Sequence, residues 1–258
     1  MKYYIIDVSI ENEVARVILN DGENGNVLNA EMAQELATIA RELSHRDDIK
    51  VVVLGARGKS FSCWNSQIEN PTIEDDLYAT IALSNNAIEQ WARIPHPVIV
   101  AIEGECSSLG LSLACVADVR YASDTAFFSV PESKHGLIPT GGITQRLPRI
   151  IGKGPAMSML LGGEVIQSLE AKQLGLINKI ADKQSVWEAA CQEAQELAKL
   201  SSLSMQYTKE CLLRGSELSF EQALRLELDI YMLLSTSEDR MEGVQAFLEK
   251  RPAQFTGK

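Results

Sequence analysis

Two short apolar segments open the chain, and a polar stretch separates them. Tyr3 to Ser9 and Val14 to Leu19 are rich in β-branched and aromatic residues, and Glu11, Asn12 and Glu13 lie between them. This pattern predicts two antiparallel strands joined by a tight turn.

The next apolar pattern is helical and leads into a strand. From Ala30 to Leu43, apolar residues recur every three or four positions, and the unbroken apolar run Val51 to Gly55 follows. The spacing predicts a helix, and the run predicts a fully buried strand of a parallel sheet.

The same alternation continues through the first half of the chain. A helix is predicted over Tyr78 to Arg93 and a strand over Pro97 to Glu103, followed by a glycine-containing turn and a short helix. Further strands are predicted near Asp118 to Ala122 and Ala126 to Val130. Alternating elements of this length predict an α/β architecture.

After Ile143 the pattern becomes mostly helical. Apolar positions from Val186 to Leu197 share one helical face, and three more helices are predicted near the end of the chain. These are Leu203 to Arg214, Phe220 to Leu234 and Arg240 to Lys250. We therefore expect a core over residues 1–200 and a helical region over residues 201–258.

Composition excludes several classes of protein. A hydrophobic content of 45% over 258 residues is enough for a full core, and the net charge of −11 disfavours a nucleic-acid partner. Apolar runs are far shorter than the roughly 20 residues of a spanning helix, and the first 20 residues lack an export signal. We expect a cytoplasmic protein with no membrane partner. Five widely spaced cysteines predict neither a disulfide framework nor structural zinc.

Three segments carry the candidate chemistry. Gly58 to Asn65 follows a buried strand, where ligands often bind in α/β proteins. Gly104 to Ala114 is a turn of small residues before an apolar helix, whose first amides have no intrahelical acceptor. Ser129 to Gly142 places a carboxylate, Glu132, just after a strand. Taken singly, each segment also fits an ordinary connection.

Together, in this order and spacing, the three segments resemble the crotonase (enoyl-CoA hydratase/isomerase) superfamily. Its signature runs G-K-x-F-x-A-G-x-D, then A-x-G-G-G-x-E-L-A-x-x-C-D, then P-E-x-x-x-G-x-x-P-x-x-G-x-x-x-x-L. Further similarity lies at residues 23–29, 171–178 and 242–251. The resemblance therefore covers essentially the whole chain.

The resemblance implies a fold and an oxyanion site. We expect an α/β, crotonase-like spiral of ββα units over residues 1–200, with a C-terminal helical trimerisation region over 201–258. The amides of Asn65 and Leu109 align with the two donors that hold the thioester oxygen, and Gly110 adjoins them in the substrate pocket. Donors aimed at a developing enolate contribute roughly 2.7–4 kcal/mol each.

One departure from the family pattern bears on the reaction. Hydratases of the superfamily carry two glutamates, and these positions hold Ser112 and Glu132 here. A single carboxylate can move a proton between two carbons, which favours double-bond isomerisation. Ser112 either binds a substrate hydroxyl or water, or simply opens space, and the second interpretation is the simpler. A hydratase, dehydratase or decarboxylase of a polyketide-type pathway remains the alternative.

The first donor loop also departs from the pattern. Trp64 stands where the family has Gly, and either narrows the acyl pocket or only packs. Ile68 replaces a basic residue that many members place near the nucleotide of CoA. Lys59 and Lys250 remain candidate phosphate contacts. We therefore expect acyl-CoA or an acyl-carrier protein as substrate partner, with CoA or phosphopantetheine belonging to the substrate and no separate cofactor or metal.

Further expectations concern His135, two of the cysteines and the C-terminal region. His135 lies three residues after Glu132 and is a candidate second titrating group at the substrate, although loop histidines are more often structural. Cys63 and Cys106 border the donor loops without an evident activating partner. The family-like C-terminal region predicts a homotrimer or hexamer, and fatty acid metabolism or polyketide biosynthesis is the expected setting. A silent acyl-thioester-binding protein is the alternative from a non-enzyme class.

Overall fold

The computed structural model describes residues 3–64, 77–181 and 185–258. The strands there are β1 (Ile6–Glu11), β2 (Val14–Leu19), β3 (Val51–Ala56), β4 (Ser60–Ser62), β5 (Val98–Ile102), β6 (Glu105–Ser107), β7 (Val119–Ser123), β8 (Phe127–Ser129), β9 (Ile166–Gln167) and β10 (Lys179–Ala181). The α-helices are α1 (Ala30–Ser44), α2 (Leu77–Ala92), α3 (Ser108–Val116), α4 (Ile143–Ile151), α5 (Lys153–Gly162), α6 (Ser168–Gln173), α7 (Val186–Ala198), α8 (Ser202–Gly215), α9 (Phe220–Leu234) and α10 (Glu238–Glu249).

The strands form two sheets of different size. The larger has the order β1-β2-β3-β5-β7-β10, and all its neighbours after the opening β1–β2 hairpin are parallel. The smaller has the order β4-β6-β8-β9, with β4, β6 and β8 parallel. Two sheets of this kind provide two separate edges at which loops can converge.

The chain moves between these sheets in a repeating ββα unit. Strand β3 in the large sheet is followed by β4 in the small sheet and by α2, and β5, β6 and α3 repeat the order. Strands β7 and β8 then precede α4. The expected spiral of ββα units is confirmed.

Local sequence explains how the first elements begin. Asn12 and Glu13 adopt positive φ angles of 52° and 63°, as a two-residue hairpin turn requires. The Asn29 side chain accepts a hydrogen bond from the Met32 amide at 2.9 Å and caps α1. The predicted hairpin and first helix are therefore present, with β1 running from Ile6 to Glu11.

The core lies on both faces of the large sheet. One apolar cluster includes side chains of α1, α2 and α3, and Trp91 is 1% exposed within it. A smaller cluster packs α7 against the other face, around Val53, Ile99 and Ala190. Helix α3 is apolar on all sides and every residue from Ser108 to Cys115 is buried, so its first turn has a fixed position.

The predicted helices near the end of the chain are present, with shifts at some ends. Helix α9 runs from Phe220 to Leu234 as predicted, whereas α8 and α10 are Ser202–Gly215 and Glu238–Glu249. No helix in the described ranges is both long and apolar enough to cross a membrane.

Short strands account for the main difference from the predicted elements. Residues 60–62, for which no strand was predicted, form β4, and residues 105–107, predicted within a turn, form β6. Strands β9 and β10 interrupt a region predicted to be mostly helical. Segments of two or three residues carry too little alternation to indicate a strand, and neighbouring strands supply their hydrogen bonds.

Candidate active site

The small sheet brings the three candidate segments to one edge. Strands β4, β6 and β8 are parallel neighbours, with Ser62 opposite Cys106 and Ser107 opposite Ser129. Because parallel strands end at the same edge, the segments that follow them lie side by side. Trp64 follows β4, helix α3 follows β6, and Glu132 follows β8.

Glu132 is a buried carboxylate with two unlike oxygens. It begins a 3-10 turn after β8 and is 6% exposed. Its Oε1 accepts a hydrogen bond of 2.6 Å from the Ser108 hydroxyl, which lies 24 residues earlier in the chain. Its Oε2 is buried and has no hydrogen-bond partner among the described residues. One oxygen is therefore held while the other remains available.

The environment of Glu132 favours proton transfer. Burial raises the pKa of its carboxyl above the ordinary value, while the Ser108 hydrogen bond, its own backbone N–H and the charge of His135 act to lower it. A carboxyl whose pKa is displaced toward neutrality exchanges protons more readily than a solvated glutamate.

Leu109 lies in the first turn of α3, beside this carboxylate. Amides in the first turn of a helix have no intrahelical acceptor, and Ser107 at the N-cap makes no side-chain cap. Gly110 next to it lets α3 approach β4 closely, since a Cβ built there would lie 2.5 Å from the Ser62 Cβ. Any larger residue at position 110 would therefore push the start of α3 away from β4.

The hydroxyl of Ser112 is bound to backbone. Its Oγ donates to the carbonyl oxygens of Ser108 at 3.1 Å and Thr140 at 3.2 Å. Gly141 packs directly above it, because a Cβ built on that glycine would lie 2.8 Å from the Ser112 Cβ. The prediction was that a small residue at position 112 opens space on α3, and in the structure Gly141 fills that space.

Trp64 is anchored at both its backbone and its ring. Its amide donates to the Ser107 hydroxyl at 2.7 Å, and that hydroxyl donates to Glu105 Oε1 at 2.7 Å. Its ring lies 4.3 Å from the His135 ring, at an interplanar angle of 41°. Trp64 and His135 thus join the first and third loops. Asn65, the predicted first donor, lies outside the described residues.

The two predicted phosphate contacts, Lys59 and Lys250, are exposed lysines. Lys59 is exposed and precedes β4, at the opposite end of that strand from Trp64, and lines a cavity with Glu103 and Trp187. Lys250 is exposed at the end of α10. The adjacent Arg251 is paired with Glu242 and Glu249 at 2.6 Å each, so its guanidinium is already occupied.

The remaining candidate groups are unsuited to nucleophilic or metal chemistry. Burial raises the pKa of both the Cys63 and the Cys106 thiols, which disfavours the reactive thiolates. Within the described ranges, no three His, Cys, Asp or Glu side chains are grouped to hold a metal ion.

A cavity of about 870 Å³ between α8 and the end of α3 contains none of the predicted site residues.

Sequence reasoning gave no role to Ser107, Ser108 or Glu105. The available signal was a departure from the quoted signature, in which position 108 aligns with the first of three glycines. Ser108 keeps a positive φ of 53° there, a conformation that favours glycine. A side chain retained at a glycine position indicates a contact, and here the contact is with Glu132.

The arrangement has the parts for carbon-acid chemistry. An oxygen that develops negative charge can accept from a helix-start amide at Leu109, and the helix dipole adds to its stabilisation. The free Oε2 of Glu132 can accept a proton from carbon and return it.

Known proteins with similar sequences or structures include CoA-thioester hydratases and isomerases. The family model described as enoyl-CoA hydratase/isomerase matches residues 9–258. A 2,3-dehydroadipyl-CoA hydratase of Escherichia coli (strain K12) is 33% identical over 254 residues, covering 97% of this chain and 98% of that protein. A 1,2-epoxyphenylacetyl-CoA isomerase of the same strain is 31% identical over 255 residues, covering 96% and 97%. The crystal structure of an enoyl-CoA hydratase from Bacillus anthracis superimposes with a TM-score of 0.93 at 28% identity, covering 99% of this chain and all of that one.

Proposed function

Because the chain belongs to the enoyl-CoA hydratase/isomerase family, we propose that it isomerises a double bond in an unsaturated acyl thioester. The observation that carries the proposal is that one of the family's two glutamate positions holds a buried carboxylate, Glu132, while the other holds a serine, Ser112. The Ser112 hydroxyl is bound to two backbone carbonyls, so it supplies no acid or base.

The proposed reaction moves one proton. Glu132 Oε2 takes a proton from the γ- or α-carbon, and the electron pair of that C–H bond spreads onto the thioester oxygen as a dienolate. The Leu109 amide, and by alignment the Asn65 amide, donate to that oxygen. Glu132 then returns the proton to the other carbon, the dienolate collapses, and the double bond has moved without net loss of any atom.

We propose CoA as the carrier of the acyl group. The similar Escherichia coli proteins are named for CoA thioesters, which supports CoA over an acyl-carrier protein. Lys59 and Lys250 are exposed cations that we propose as phosphate contacts. Trp64 and His135, whose rings touch beside the site, are proposed to border the acyl group, with Gly110 and Ser112 closing its other side.

Hydration is the second candidate, because one of the similar proteins is named a hydratase. Hydration needs a group that activates water as well as a proton donor. His135, whose ring contacts the Trp64 ring at a tilt, is the first candidate for that partner. Glu105 is the other carboxylate connected to these segments, through its hydrogen bond with Ser107.

Heavy water distinguishes the two reactions. We expect 2-enoyl- and 3-enoyl-CoA thioesters incubated in D₂O to gain deuterium and interconvert faster than they gain water, because Glu132 exchanges its proton with solvent between transfers. Mass spectrometry of the thioesters measures both outcomes across a panel of chain lengths and carriers. Rapid hydration without exchange would replace the proposal by a hydratase, and binding without either reaction would indicate a silent acyl-thioester-binding protein.

We further propose that the chain assembles as a trimer or a pair of trimers. Helix α9 exposes Phe220, Leu224, Leu228 and Tyr231, which recur on one side and are 81%, 50%, 55% and 66% exposed. Apolar surface of this extent on one helix is typical of an interaction site.

Light scattering tests the assembly. We expect a trimeric or hexameric mass, and we expect Leu224→Asp with Leu228→Asp to lower it, because two carboxylates would be buried at the contact. Leu169→Asp, a similarly exposed leucine on α6, is the matched control. A monomeric mass for the unaltered chain would contradict the assembly.

A further inference from the structure

We propose that Ser108 is a positioning residue for Glu132, holding Oε1 so that Oε2 faces the carbon from which the proton is taken. The inference rests on the proposed isomerisation. It adds a side chain that the family signature does not contain, since the signature has glycine at this position.

The contact is short and enclosed. Ser108 is 6% exposed, and its hydroxyl lies 2.6 Å from Glu132 Oε1, within the range of a charge-assisted O–H···O bond. The carbonyl of Ser108 in turn accepts from Ser112 Oγ, which lies one helical turn later. Both the hydroxyl and the carbonyl of Ser108 are therefore held by hydrogen bonds within the protein.

Ser108 keeps a side chain although its backbone conformation is strained for any residue other than glycine. A φ of 53° brings Cβ of an L-residue close to its own backbone, and glycine avoids that crowding. The next residue, Leu109, carries the proposed oxyanion amide. A single dipeptide thus places the oxygen-binding group and fixes the proton-transfer group.

The hydrogen bond also opposes the effect of burial on Glu132. Burial raises the pKa of this carboxyl, and the Ser108 hydroxyl lowers it by binding the ionised form. His135 in the same turn acts in the same direction, while α3 carries no acidic or basic side chain and β8 carries none. Glu105 on β6 is bound to Ser107. Ser108 therefore keeps a buried base ionised over a wider pH range.

Two substitutions separate the hydroxyl from the backbone. Ser108→Ala removes the hydroxyl and keeps the strained φ, whereas Ser108→Gly removes the hydroxyl and relieves it. We expect both to lower kcat by about tenfold, the loss of one hydrogen bond to a charged group, and to shift the acidic limb of the kcat/KM profile to higher pH. The KM for the acyl-CoA should change little, because Ser108 contacts the carboxylate and not the acyl chain.

A direct titration makes the test independent of substrate. The infrared band of the protonated Glu132 carboxyl, identified by its loss in Glu132→Gln, should titrate at higher pH in both Ser108 variants than in the unaltered protein. Ser168→Ala is the matched control, because Ser168 is also buried and its hydroxyl donates to the carbonyls of Ser123 and Ala126 rather than to a carboxylate. Its pH profile and infrared titration should not move.

The outcomes distinguish this inference from the proposed function. Suppose that Glu132→Gln stops deuterium exchange, while both Ser108 variants keep the wild-type kcat, the acidic limb of the kcat/KM profile and the infrared titration. Only the role of Ser108 is then overturned. If Ser108→Ala loses activity and Ser108→Gly keeps both activity and pH profile, the serine acts through backbone strain and the inference is also overturned. If Glu132→Gln leaves exchange unchanged, the proposed function itself fails.

Discussion

Glu132→Gln is expected to lower turnover of an enoyl thioester by about 10²–10⁴-fold, the usual contribution of a general acid–base group. The amide cannot accept and return a proton at the Oε2 position. The fold should be retained, since the Gln carbonyl can still accept the Ser108 hydrogen bond. Substrate affinity should be kept as well, because the donor amides are unaltered.

Stability gives an independent check on this variant. Burial raises the folded-state pKa of Glu132, so ionising this group at neutral pH opposes folding. The neutral amide removes that opposition, and the thermal midpoint of Glu132→Gln at pH 7 should not fall below that of the unaltered protein. Below the ordinary pKa of glutamate, Glu132 is protonated in both the folded and the unfolded protein. The difference in thermal midpoint between the two proteins should therefore disappear there.

Turnover, heavy-water exchange and thermal unfolding measure these effects together. Glu193→Gln is a suitable control, because Glu193 is also a carboxylate held by hydrogen bonds, from Tyr121 and Lys179, on a different part of the surface. Near wild-type turnover of an authentic substrate by Glu132→Gln would remove this residue from the mechanism.

An ester in place of the Leu109 amide is expected to lower kcat by about 10²–10³-fold. Incorporating the α-hydroxy analogue of leucine removes the N–H and keeps the side chain, so the oxyanion loses one donor while packing is preserved. The loss should appear in kcat and in the rate of deuterium exchange, because the enolate is stabilised in both.

Two comparisons isolate the lost donor. The same ester at Leu169, which is also the second residue of a helix, should leave kcat unchanged. The ester also weakens the Ser108 carbonyl as an acceptor for Ser112, and Ser112→Ala measures that contribution separately. If the Leu109 ester retained full activity, the oxyanion would have to be bound elsewhere.

The proposed proton-transfer residue could be located from the sequence more readily than the contacts around it. Glu132 was identifiable because it follows an apolar strand and lies in a signature motif, and the structure shows it buried beside α3. Leu109 was identifiable by its alignment with the family signature, and the small residues before an apolar helix independently indicated free amides in its segment. Neither signal requires knowledge of the tertiary fold.

Contacts across the chain were not predictable in the same way. The bond from Ser108 to Glu132 spans 24 residues and depends on β6 and β8 being neighbours. Those strands are only three residues long, so they are too short for an alternation of apolar and polar positions to indicate them. The Trp64–His135 contact depends on the same sheet, since Trp64 follows β4, His135 follows β8, and β6 lies between these two strands.

The parallel pairing of β4 with β6 also sets a length scale for oxygen binding. Adjacent strands are about 4.8 Å apart, so the chain segments that leave them begin with that separation. An oxygen about 2.9 Å from each of two amide nitrogens spaced this way sees them at an angle of about 110°, near the directions of its lone pairs. Packed helices, about 8–10 Å apart, would be too distant to share one oxygen. Backbone pairing in the small sheet, rather than any side chain, therefore sets the starting separation of the two segments that we propose to carry the donor amides.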